Sequence, residues 1–210
     1  MSTGTTKLSI PEVMKARKSV RVYDSDFKIS REEIEEILTL ATSAPSSSNL
    51  QSWSFIVFQD QDVKKELRAI ANNQAQVEEA SAVIAVLGNL EAYKQVEQIY
   101  TQAVEEGYMD EATKDRVVAN TMTMYSNAPD AIRMNIASFD AGLVSMQLML
   151  AAKDKGYDTV TMGGFDKAKF TERFQLPGHL FPIVLISLGK AAAPARESTR
   201  LPLEAVTKFI

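Results

Sequence analysis

The sequence predicts an α+β fold, a mixed central sheet flanked by helices with one long helix buried through the middle. Three observations carry that expectation. Four short aliphatic runs read as strands, interspersed with helical segments in the order ααβαβ(αα)αβαβ, without strict strand–helix alternation. The stretch Met134–Ala152 carries one charge, Asp140, and reads as a buried helix, in the core or at a subunit interface. Asn135, Ser138, Ser145 and Gln147 make it too polar for a bilayer span. Third, 210 residues with 45% apolar and 24% charged side chains fit a single domain over 1–210, with no linker or repeat.

Ser9-Ile10-Pro11-Glu12 is a capping box with Leu8 and Val13 as a staple, opening a helix to about Arg17. Ser30-Arg31-Glu32-Glu33 repeats the pattern, and Ile34, Ile37, Leu38 and Ala41 give the buried stripe of a helix ending near Ser43. Strands are expected around Phe55–Phe58, Ala82–Leu87, Tyr157–Met162 and Phe181–Leu188. A helix from about Asp62 to Ala71 points Val63, Leu67 and Ile70 inward, and Asn72–Gln76 follows as an amide-rich connector. Residues 91–127 read as an acidic helical excursion broken at Gly107-Tyr108, on the surface or against a partner. The central helix runs from Pro129 to about Lys155, and a short helix spans Lys167–Phe174.

Composition removes several function classes. A net charge of −4 argues against a nucleic-acid surface. The absence of cysteine excludes disulfides, thiolate metal sites and a cysteine nucleophile. One histidine, His179 in a Pro-Gly-His turn, leaves no material for a histidine metal site or a Ser-His-Asp triad. Met1–Lys18 has no apolar core of signal-peptide type, which points to a cytoplasmic protein. Gly-x-Gly-x-x-Gly and P-loop fingerprints are absent too, so a cofactor would have to bring the reaction.

Four short segments suit such a cofactor. Lys15–Arg21 holds four basic residues and no acid, which fits either a helix C-terminus or an anion site built from Arg17, Ser19 and Arg21. Ala44–Trp53 contains Pro45, four serines, Asn49 and Gln51 without a charge. By itself it reads as a polar connector, yet it also offers short hydrogen-bonding groups to the rim of a planar ligand. Asn73 and Gln76 offer the same, and Gly163-Gly164 lets backbone N–H groups approach a ring. Together with Arg200 they suggest a phosphorylated aromatic cofactor.

The motifs Arg17–Arg21, Ala44–Trp53, Met162–Asp166, Gly189-Lys190 and Arg200–Pro202, in that order from about Leu8 to the C-terminus, resemble the nitroreductase family of FMN-dependent oxidoreductases. The resemblance implies a homodimer with two FMN sites in the subunit interface. By position, Arg17, Ser19 and Arg200 bind the FMN phosphate with Lys18 nearby through its backbone, and Arg21 lies towards the pyrimidine. Pro45, Ser46, Ser47, Asn49 and Gln51 come from the partner chain, Asn73 and Gln76 meet the pyrimidine edge, and Gly163 and Gly164 face N5. No side chain is catalytic in its own right and no metal is implied. The implied activity is ping-pong hydride transfer from NADH or NADPH to nitroaromatics, quinones or other flat acceptors. Other flavin chemistry, such as reductive dehalogenation or flavin destruction, and flavin binding without turnover stand as alternatives, as does a plain helical interaction protein dimerising through its apolar central helix. Many relatives carry glutamate at the Gly163 position, and some carry lysine at those of Gln76 and Ser198. The side-chain role at 163 is therefore absent here and charge near the flavin is lower.

Overall fold

The computed structural model describes residues 8–210, so the first seven residues of the Met1–Lys18 stretch lie outside the described residues. Both capping boxes form. Ser9 pairs with Glu12 at the start of α1 (Ile10–Ala16), and Ser30 with Glu33 at the start of α2 (Arg31–Ala41). Four strands follow in chain order: β1 (Trp53–Phe58), β2 (Ala82–Asn89), β3 (Asp158–Met162) and β4 (Leu180–Gly189). They lie side by side as β1-β2-β4-β3, every neighbouring pair antiparallel, with a register shift at Val86/Leu87. Among the described residues the parallel component of the expected mixed sheet is the single bridge between Ser19 and Thr159.

β2 is buried along its whole length because helices cover both faces of the sheet. Its alternate residues sort between two cores. Ala82, Ile84 and Val86 join Ile34, Ile37, Val144 and Leu148 under α2 and α7 (Asp130–Asp154). Val83, Ala85 and Leu87 join Leu67, Val77 and Phe170 under α3 (Gln61–Ile70), α4 (Ala75–Glu79) and α8 (Lys167–Arg173). Gly88 is needed where β2 crosses Phe181, since a Cβ there would come within 2.3 Å of the ring.

The connector expected over Asn72–Gln76 is partly helical, because α4 begins at Ala75 and continues to Glu79. The excursion folds as α5 (Val96–Glu105) and α6 (Glu111–Ser126), broken at Gly107 with φ +78°. It is anchored as well as exposed. Ala92, Tyr93, Val96 and Tyr125 close a third small core over Leu50. Lys64, on the inward side of α3, is fully buried and donates through Nζ to Ala80 O. Burial and the nearby Lys28 push its pKa down to about 8.

Candidate functional site

The basic run leaves α1 and is fastened beside β3, where Val20 N donates to Thr159 O at 3.1 Å. After β4 the chain returns alongside it, with Asp24 N donating to Lys190 O at 2.9 Å and Ala192 N to Val22 O at 3.0 Å. These contacts set residues 196–200 opposite residues 14–21 around a cavity of about 770 Å³. Arg17, Lys18, Ser19, Arg21 and Arg200, all singled out from sequence, line it together, and Lys15, Arg196 and Ser198 join them. One carboxylate, Glu197, sits among these cations, 2.8 Å from Lys18 Nζ, which holds its pKa below the usual carboxylate range. Arg200 Nη1 donates to Ser198 Oγ at 2.9 Å and to Thr199 O at 2.7 Å, which orients the guanidinium. Forked guanidinium donors around an open cavity fit a phosphate dianion.

The glycine turn lies at the other end of β3. Gly163 and Gly164 are exposed, and no heavy atom lies within 4 Å of a Cβ built at Gly163. The amide connector docks on this turn, as Asn72 Nδ2 and Gln74 Nε2 donate to Gly164 O at 2.8 and 3.1 Å. Asn73 is exposed beside them, and both asparagines adopt left-handed backbone, with φ of 55° and 56°. Gln76 faces inward. It is buried and donates to Gln74 Oε1 at 3.0 Å and towards Met162 Sδ at 3.4 Å. The docking of the connector on the turn is not legible in the sequence, where Asn72 and Gln74 stand only as part of the amide run and not as site residues. The amides and free backbone N–H groups fit the edge of a planar heterocycle.

The serine loop lies across the sheet from both, because it leads into β1 at the opposite edge from β3. Ser47–Asn49 forms a short 3₁₀ turn, and Ser48, Asn49 and Gln51 have φ of 51°, 52° and 52°. Such values are costly for residues other than glycine and persist only when neighbours enforce them. Here they do. Ser46 Oγ accepts from Gln51 N at 2.9 Å, and Ser47 N and Oγ both donate to Asp140 Oδ1 at 2.9 Å. Tyr100 OH donates to Ser48 O at 3.2 Å, and the Tyr125 hydroxyl lies 3.3 Å from Ser48 Oγ. Pro45 and Asn49 are left exposed.

Much of this support comes from one polar stripe on α7. Arg133 Nη1 donates to Tyr125 O, Asp140 accepts from Ser47, and Gln147 Nε2 donates to Leu40 O and Ser43 Oγ. The three recur every seven residues, hence on one face of the helix. The lone charge in the apolar stretch Met134–Ala152 was the available sign of Asp140; nothing in the sequence pointed to Tyr100 or Tyr125. Among the described residues, no cluster of His, Asp or Glu is arranged to hold a metal.

Comparison with known proteins finds similarity in sequence and fold over nearly the whole chain. The model of the Nitroreductase family matches residues 14–190. The candidate NAD(P)H nitroreductase YodC of Bacillus subtilis (strain 168) is 43% identical over 95% of this chain and 98% of its own length. A candidate nitroreductase of Exiguobacterium sibiricum, crystallised in complex with FMN, superposes with a TM-score of 0.94 at 42% identity, covering 99% of this chain and 100% of its own. The CLA biosynthesis enone reductase of Lactiplantibacillus plantarum is 31% identical over 96% of this chain and 94% of its own length.

Proposed function

The chain belongs to the nitroreductase family, and from that premise we propose that it is an FMN-dependent oxidoreductase working as a homodimer. FMN supplies hydride transfer from NADH or NADPH to a flat electrophilic acceptor, a nitroaromatic or a quinone, in two successive half-reactions. The observation that carries the reading is the layout along β3. A cationic cavity sits at its start, by Thr159, and an open glycine turn at its end, roughly 13 Å away at strand spacing. A phosphorylated heterocycle spans such a pair of sites.

This chain's residues then divide the work. Arg17, Arg200 and Ser19 hold the phosphate, with Lys18 beside them and Arg21 towards the ring. The cationic side chains favour the extra negative charge of the reduced ring electrostatically. Asn73 and the Gly163-Gly164 backbone bind the ring edge, and Gln76 acts from behind through Gln74 and Met162. No side-chain acid or base is required, which suits a chain with no cysteine and one histidine.

Two observations support the homodimer. Pro45, Ser46, Ser47, Asn49 and Gln51 lie at the sheet edge opposite the cavity, as expected if they serve the flavin of a second copy. In addition Ile132, Phe139 and Met146 form an exposed apolar stripe at heptad spacing on α7, and Leu201, Leu203, Val206 and Phe209 are exposed in the tail.

The test is the visible spectrum of the purified protein before and after anaerobic addition of NADH or NADPH. Flavin absorption that bleaches with either, and returns on adding nitrofurazone or a quinone, is the expected result. A colourless protein that gains no absorption with added FMN would sink the reading. Flavin that neither cofactor bleaches would leave a binding protein without turnover. The likeness to an enone reductase favours a second acceptor class, and an α,β-unsaturated ketone belongs in the same assay.

A further inference from the structure

We propose that Asp140 is the positioning residue of the serine loop, holding its backbone in the shape that meets the flavin. The inference rests on the flavin reading above. Asp140 is wholly buried, and its Oδ1 accepts from both the backbone N–H and the hydroxyl of Ser47, 93 residues away in the chain. Its Oδ2 is buried and has no hydrogen-bond partner among the described residues. A carboxylate held in an apolar helix with half its acceptor capacity unused is a poor device for stability, and an apolar side chain would serve the core better. What it gains is control of the backbone that follows.

Ser48, Asn49 and Gln51, one, two and four residues after Ser47, are in left-handed conformations, which asparagine tolerates but Ser48 and Gln51 do not favour. The loop closes on itself through short-range bonds, Asn49 N to Ser46 O, Leu50 N to Ser47 O and Gln51 N to Ser46 Oγ. Its fixed point against the rest of the molecule on the α7 side is Ser47, and that point has two bonds to one oxygen. Removing the acceptor leaves a half-buried N–H without a partner and frees the three strained residues to relax. The Ser47 hydroxyl is spent on Asp140, so of the loop residues assigned to the flavin the side-chain contacts fall to Pro45, Ser46, Asn49 and Gln51. Asp140 acts on them through Ser47 and does not touch the flavin.

The experiment is FMN titration of the full-length apoprotein, followed by quenching of flavin fluorescence, with visible circular dichroism of the bound flavin and thermal unfolding of the apoprotein in parallel. Asp140→Ala should weaken FMN binding about tenfold or more and alter the flavin dichroism. Asp140→Asn, whose amide oxygen accepts the same bonds, should stay within about threefold of the wild type. Ser47→Ala should fall between them, and the double substitution with Asp140→Ala should be no worse than Asp140→Ala alone. Wild-type FMN affinity in Asp140→Ala, whatever its melting temperature, overturns the proposal, as does an Asp140→Asn protein that binds as weakly as Asp140→Ala. Should Asp140→Ala fail to fold, Ser47→Ala with unchanged affinity overturns it instead. Failure of the wild-type protein to bind FMN would count against the flavin reading itself and is seen before any variant is made.

Discussion

The basic cavity and the serine loop are built in opposite ways. The cavity is made of long cationic side chains on ordinary backbone, oriented by short-range bonds such as Arg200 to Ser198 and Thr199. The loop is made of short uncharged side chains on left-handed backbone, gripped from below by Asp140, Tyr100 and Tyr125. Charge acts at a distance and tolerates imprecise geometry, whereas a hydrogen bond to a ring edge fails beyond a few tenths of an ångström. A phosphate can therefore be held by mobile side chains, while a ring edge calls for a stiff frame.

The largest effect should come from separating the two regions. Phe139→Asp puts a charge in the middle of the exposed stripe on α7. If that stripe joins two copies, the dimer dissociation constant should rise about 30-fold or more in sedimentation, and FMN should be lost with it. A monomer that keeps its flavin would show that one chain supplies both regions.

Next comes charge removal from the cavity. Arg200→Ala should weaken FMN about tenfold to a hundredfold while leaving riboflavin affinity unchanged, because riboflavin lacks the phosphate. In the wild type, added salt should weaken FMN and spare riboflavin. Equal losses for both ligands would assign Arg200 to the fold.

Lys64 contrasts with both regions, a cation spent on neither. Its folded pKa of about 8 lies below the ordinary lysine value of 10.5, so between these the unfolded chain binds the extra proton. Stability should therefore rise from about pH 8 towards pH 10 and level off below pH 8, where both states carry the proton. Lys64→Met should flatten that rise in urea midpoints and add about 2 kcal/mol at pH 7. An unchanged pH profile would mean that the amine is solvated.

The smallest effect probes the grip on the loop from the excursion. Tyr125→Phe removes the hydroxyl beside Ser48 Oγ and should cost about 1 kcal/mol of stability, with a severalfold loss of FMN affinity. A loss of stability with unchanged affinity would leave Asp140 as the dominant restraint.

Much of this was legible in the sequence, and the remainder was hidden for definite reasons. The strand runs, both capping boxes and the Gly107 break were readable because each depends on residues within a few positions of one another. The basic cluster was readable because Arg17–Arg21 is contiguous and its type is rare. α4 was obscured because five residues rich in amides look like a connector, and its helicity comes from packing Val77 into the core. Lys64 lies beside Val63 but is not apolar, so the apolar pattern of the helix did not include it, and only its burial and its bond to the Ala80 carbonyl reveal it. The bonds from Asp140 to Ser47 and from Tyr100 and Tyr125 to Ser48 join distant parts of the chain, where local pattern carries no information.

Gln147 and Asp140 hold the loop at two marks on the same helix, two turns and about 10 Å apart. Between the segments they hold, Ser43 to Ser47, four residues reach only about 13 Å when extended, so a deleted residue there would pull one mark off the ruler. Length variation among homologues, and any library meant to broaden the range of acceptors, should find that stretch closed to shortening. The tip of the excursion, from Gly107 to Asp110, is exposed apart from half-buried Met109, and there added residues have room to grow.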